Sequence, residues 1–189
     1  MTSVVLVKHS APTVIASVPA FEWHLSPNGI ERCAGLADRL RAFSTRSIAT
    51  SAEPKAVETA AIVGQALGLP VNVLEDLHEH DRRETKLLGD EAFRDAIRSL
   101  FARPHDRVFG RETAADALAR FDAAVGRLLA SPGQEEDVIV VTHGTVISLF
   151  VAAHTGEDGF GLWSRLGLPS LVVLRRADLS LERIEAELS

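Results

Sequence analysis

The chain has 189 residues, 46% of them hydrophobic, which is enough to bury one core and makes a single domain spanning 1–189 the default. A formal charge of −6 and a pI near 5.6, without a basic stripe, argue against a nucleic-acid surface. The lone cysteine, Cys33, has no partner for an internal disulfide, which points to a reducing compartment, and its helical surroundings make it a small core filler. A secretory signal is not expected, because no basic region comes first and Lys8-His9 would interrupt its apolar core. No run approaches the length that spans a bilayer, so a soluble, cytoplasmic protein is expected.

Residues 4–7 form an apolar run long enough for a buried strand, and it ends abruptly in Lys8-His9-Ser10. Residues 11–25, with two prolines and no period, read as a loop crossing beyond that strand end. Ser26-Pro27 gives a helix start, serine as N-cap and proline at the first helical position. The spacing of Ile30, Cys33, Leu36, Ala37 and Leu40 carries this helix to about Phe43. A short strand is expected over 48–51, then a helix from Pro54 closed by Gly68, then a strand over 71–74. The charged stretch Glu75 to Arg83 follows, and helices are expected near 90–102 and 112–130, with a loop over 103–111. Ser131-Pro132-Gly133 should break the second of these helices.

A second apolar run, Val138-Ile139-Val140-Val141, ends in Thr142-His143-Gly144, so two strands each deliver a histidine at their exit. A helix over 146–153 and a strand over 171–174 come next, and the last residues stay ambiguous between strand and helix. The alternation of strands and helices predicts a three-layer α/β/α sandwich with a mostly parallel central sheet. Ligands in such sheets bind beyond the carboxyl ends of the strands, so His9 and His143 mark the expected site. The dinucleotide fingerprint, the GxxxxGK[ST] loop and the GxSxG elbow are all absent from the sequence.

Lys8-His9-Ser10, Leu25-Ser26-Pro27-Asn28-Gly29, the stretch Ser51 to Ala60, Leu77-His78-Glu79, Gly110-Arg111-Glu112-Thr113 and Thr142-His143-Gly144 occur in one order along most of the chain. In that order they resemble the motifs of the histidine phosphatase superfamily, the phosphoglycerate mutase-like family. The resemblance implies a metal-independent phosphomonoesterase without a cofactor, in which His9 attacks phosphorus and carries a phosphohistidine. It implies His143, Lys8 and Lys55 around the phosphoryl group, with Ser10 and the Gly144 amide as further donors. Glu79 would protonate the leaving oxygen and then activate water, with His80 or Asp81 as other candidates for the acid.

The family normally carries arginine where this chain has Lys8 and Lys55, and lysine lacks the bidentate fork. The double replacement leaves open a weakened or inactive relative that binds a phosphorylated ligand or protein partner. Arg82 or Arg83 could restore a guanidinium. A phosphoglycerate mutase is disfavoured by the short chain.

Ser26, Arg82 and Trp23 are candidate substrate contacts, Trp23 either lining the entrance or plugging the sheet edge. Lys55 is alternatively a surface residue paired with Glu58 or Glu53. The cluster His78, Glu79, His80 and Asp81 lacks a second ligand pair at metal-site spacing, so no metal is assigned. His24, His105 and His154 read as surface or loop-packing residues. A cap-like helical insertion near 82–112, a phosphorylated small molecule or phosphoprotein as substrate, and a homodimer through an exposed C-terminal edge complete the expectations.

Overall fold

The computed structural model describes residues 2–85, 87–130 and 136–188. Six strands, β1 (Ser3–Lys8), β2 (Ile48–Ser51), β3 (Val71–Leu74), β4 (Val138–Thr142), β5 (Ser170–Arg175) and β6 (Leu181–Glu185), form one sheet in the order β3-β2-β4-β1-β5-β6. The first four in that order run parallel; β5 and β6 are antiparallel additions. Helices α1 (Pro27–Leu40) and α2 (Pro54–Leu67) pack on one face. On the other lie α3 (Asp90–Ala102), α4 (Ala114–Ala130), α5 (Gly144–Thr155) and α6 (Gly159–Arg165). This is the expected α/β/α sandwich.

The strand sequences explain the layering. In β1, Val5 and Val7 enter the core under α1 and α2, while Val4 and Leu6 enter the opposite core. A strand that is apolar on both faces can only sit in the middle of a covered sheet. Helix α5 is apolar around most of its circumference and is buried from Gly144 through Val151, so it lies inside the molecule.

Ser26 caps α1 by accepting the Gly29 amide, with Pro27 in the first turn. The helix ends at Leu40, short of Phe43, because the Phe43 amide bonds to the Leu40 carbonyl in a tighter turn. Gly68, at φ 69°, closes α2 in the left-handed conformation.

Two assignments needed the structure. The ambiguous C-terminal residues become β6 because β5 offers them an antiparallel partner. Helix α6 was not foreseen; it has seven residues and two glycines, too few for a period to show. The predicted break at Ser131-Pro132-Gly133 lies outside the described residues. Segment 82–112 contains α3, which packs against α6. Among the described residues, no helix is long and apolar enough to cross a membrane.

Candidate active site

Parallel pairing of β1 with β4 sets Lys8 beside Thr142, and the His9 amide donates to the Thr142 carbonyl at 2.9 Å. The ladder thus runs one residue past the strands, and His9 and His143 leave it side by side. Their ring centroids are 5.1 Å apart, edge to face. Gly144 then opens α5 with no side chain, which Lys8 requires, since a Cβ there would lie 3.1 Å from Lys8 Cε. Lys8 continues past it to donate to the Leu166 carbonyl at 2.6 Å.

His9 Nδ1 lies 2.7 Å from the Ser10 carbonyl oxygen. A carbonyl only accepts, so Nδ1 carries the proton and Nε2 keeps its lone pair. Burial holds the His9 pKa well below 6.5, and His143, Lys55 and Lys8 push it the same way against the Ser10 carbonyl. His9 is therefore neutral at pH 7. Burial also holds His143 well below 6.5, helped by Lys55. Its Nε2 faces Ser51 Oγ at 2.8 Å and Glu53 Oε1 at 3.5 Å, and its Nδ1 is buried without a partner among the described residues.

Glu79 sits over the N-terminus of α5. Its Oε2 accepts the Thr145 amide at 3.1 Å, and its Oε1 accepts the Val146 amide at 3.3 Å and the His80 amide at 2.9 Å. Burial opposes its charge, but Arg82, His143 and these amides outweigh burial and bring the pKa down to about 2. The other two candidate acids differ. Asp81 is held at about 2 chiefly by its bond to Arg83. Burial keeps His80 below its ordinary value, and its Nε2 donates to the Glu112 carbonyl at 2.9 Å.

A second carboxylate, Glu53, was named in the sequence only as a possible partner of Lys55 and not as a site residue. Glu53 occupies the N-cap of α2 but makes no capping bond there. Its Oε2 pairs with Lys55 Nζ, and its Oε1 accepts the Glu79 amide at 2.9 Å. Lys55 is thus buried and paired with Glu53, and it also donates to the Ala20 carbonyl at 2.7 Å. Glu58, the other proposed partner, binds His24 and the Leu25 amide instead.

Arg120 of α4 was unforeseen. It donates to the carbonyls of Asp76 and His78 at 2.8 and 3.0 Å and to Glu112 Oε1 at 2.7 Å, clamping the segment that carries Glu79. Glu112 in turn accepts the Asp81 amide at 2.8 Å. The signal in the sequence was only the Gly110-Arg111-Glu112-Thr113 motif, which gives no partner.

Arg82 and Arg83 differ in a way their adjacency hid. Arg83 is taken by Asp81 in a two-pronged pair. Arg82 lies 3.5 Å from Glu79 Oε2 and 4.9 Å over the Phe93 ring, and its Nη1 is buried with no partner among the described residues.

A cavity of about 1220 Å³ opens in front of these groups. Lys8, His9, Lys55, Glu79, Arg82 and Gly144 line it. So does Trp23, whose indole NH donates to the Val18 carbonyl at 2.9 Å. His143 is fully buried behind His9. Ser10 donates its hydroxyl to the Gly29 carbonyl at 2.7 Å, and Ser26 donates its own to the Ala11 carbonyl at 3.0 Å while its oxygen caps α1; neither lines the cavity. His24 and His154 bind Glu58 and Asp122 at the surface. Among the described residues, no three or more His, Cys, Asp or Glu side chains are grouped to hold a metal ion.

A family profile described as histidine phosphatase superfamily (branch 1) matches residues 19–181. No curated protein matches the chain at the sequence level. Among solved structures, YhfR from Bacillus stearothermophilus is similar at a TM-score of 0.78 and 23% identity, covering 100% of this chain and 98% of its own. The mycobacterial glucosyl-3-phosphoglycerate phosphatase Rv2419c, solved with VO3, gives 0.77 and 22% with full coverage of both chains. A phosphoserine phosphatase from Entamoeba histolytica, solved with phosphoserine, gives 0.75 and 15%, covering 98% of each. The chain belongs to the histidine phosphatase superfamily, branch 1, and is an enzyme of the phosphatase type.

Proposed function

We propose that the protein is a phosphomonoesterase that works through a phosphohistidine on His9. The observation that carries this is the state of His9: neutral, its Nδ1 proton fixed on the Ser10 carbonyl, and at the wall of the cavity. Nε2 attacks phosphorus, the bond from phosphorus to the leaving oxygen breaks, and that oxygen takes a proton. Water then attacks the phosphohistidine and returns His9 with inorganic phosphate. Glu79 is the acid and then the base; it is ionised in the free protein and takes up its proton when the phosphate's negative charge arrives beside it. The phosphatases among the structural relatives support the reaction type.

Phosphate binding falls to Lys8, Lys55 and Arg82. A lysine has three protons to donate. Lys8 gives one to Leu166, and Lys55 gives two, to Ala20 and Glu53. Arg82, whose buried Nη1 has no partner among the described residues, supplies the planar donor that the two lysines lack. Lysine donors already committed to the protein favour one second reading, a relative weak in catalysis that still binds phosphorylated ligands. Hydrolysis of 4-nitrophenyl phosphate, with chelator and beside His9→Ala, separates the two. Chelator-resistant turnover lost in His9→Ala supports the phosphatase, and vanadate binding without turnover supports the binder.

A further inference from the structure

The phosphate end of the cavity is small and the rest of it has a different chemistry. Beyond His9 the walls are aromatic and aliphatic: Phe21 and Trp23 on the loop after β1 face Leu87, Phe93, Phe109 and Trp163. Phe93 stands edge-on to Trp163 at 5.8 Å and to Phe109 at 6.5 Å, a preformed aromatic wall. Leu87, which lines the cavity, is 53% exposed and Val14, also lining it, 62%, so both present apolar area to a bound group.

The charge of the walls runs against a polyanion. Among the described residues, seven carboxylates line the cavity against four lysine or arginine side chains. Each of those cations has a carboxylate or backbone carbonyl beside it. Glu22, Glu75 and Asp90 stand exposed on the walls with no ion pair among the described residues.

We infer that the substrate is a phosphomonoester whose leaving group is large and aromatic or otherwise apolar, and carries no second anionic group. The inference rests on the phosphatase reading. It assigns selectivity to the outer cavity: apolar contact draws the leaving group in, and the exposed carboxylates turn away a carboxylated or doubly phosphorylated one.

The test compares kcat/KM for phenyl phosphate, 2-naphthyl phosphate and 4-carboxyphenyl phosphate, and binding of the matching phosphonates by calorimetry. Phenol and naphthol leave with similar ease, so a difference between them reports the cavity. The second ring should raise kcat/KM about tenfold, judged from the apolar area it can bury, mainly through KM. The carboxyl should lower it about fivefold, as one like charge at short range does, although it makes the better leaving group. The triple variant E22Q/E75Q/D90N should remove most of that fivefold penalty.

Equal rates for phenyl and naphthyl esters, or a carboxyl penalty unchanged in the triple variant, would overturn the inference and leave the phosphatase standing. Absent turnover, even with the phosphonates binding in the order naphthyl, phenyl, carboxyphenyl, would remove the phosphatase and overturn with it the inference that rests on it. Phosphonates bound without that order would overturn it.

Discussion

Replacing Lys8 with methionine should make the protein more stable and a worse enzyme. Burial lowers the Lys8 pKa from 10.5 to about 8; Glu79 pulls it up and Arg82 pushes it further down. At ~1.4 kcal/mol per pH unit, holding that ammonium inside the fold costs about 3 kcal/mol at pH 7. The unfolded chain binds this proton more tightly than the folded one. The cost is therefore full below pH 8 and fades as pH rises from about 8 to 10.5.

Lys8→Met removes the charge at similar volume but also the bond to the Leu166 carbonyl, worth about 1 kcal/mol. The net gain is about 2 kcal/mol, or about 4–8 °C in Tm for a chain of this size. Scanning calorimetry at pH 7 and pH 9.5 measures it, and the gain should shrink at the higher pH. Inorganic phosphate should raise the Tm of the parent protein more than that of the variant. Turnover of 4-nitrophenyl phosphate should drop at least tenfold, the cost of about 1.4 kcal/mol in the barrier. A variant that melts below the parent at pH 7, or a gain equal at both pH values, would refute the reasoning.

Glu79→Gln should cut kcat about a hundredfold or more, the usual worth of a positioned acid. It should also lower stability at pH 7 by about 2–3 kcal/mol, because the carboxylate's contribution is present above pH 4.5 and lost as pH falls towards about 2; urea melts at pH 7 and 3 show whether the variant loses that acid sensitivity. Glu53→Gln takes a negative charge away from Lys55 and His143, so inorganic phosphate should inhibit about tenfold more strongly; an unchanged inhibition constant would mean that Glu53 only packs. Arg120→Ala leaves Glu112 without its cation and several carbonyls without a donor, and should cost about 3 kcal/mol, with a fall in kcat measured alongside in the same preparation.

The strands ending in His9 and His143, the capped start at Ser26-Pro27 and the stop at Gly68 were all legible in the sequence. Apolar period, a capping hydroxyl and a glycine at positive φ act over a few residues, so the local sequence states them outright. The order of motifs added the family, and with it Glu79 and Lys55 as candidates. Arg82 was named as a candidate substrate contact and, with Arg83, as one of two adjacent arginines that could supply a guanidinium.

What the sequence could not state is which distant groups share a carboxylate or a carbonyl. Glu53 was legible as a partner for Lys55 two positions on, but its bond to the Glu79 amide spans 26 positions of chain. Arg120 looked like one charge on an amphipathic helix, yet it clamps residues more than 40 positions earlier. Ser10 looked like a phosphate donor until Gly29 took its hydroxyl. Trp163, on a helix too short to show a period, joined the cavity wall only once α6 had docked beside α3. The chain's own pattern determined the first five strands, the helices other than α6, and the two histidines. The partners of each buried charge were decided by tertiary packing, because desolvation and Coulomb energy depend on distances through space that sequence separation does not encode.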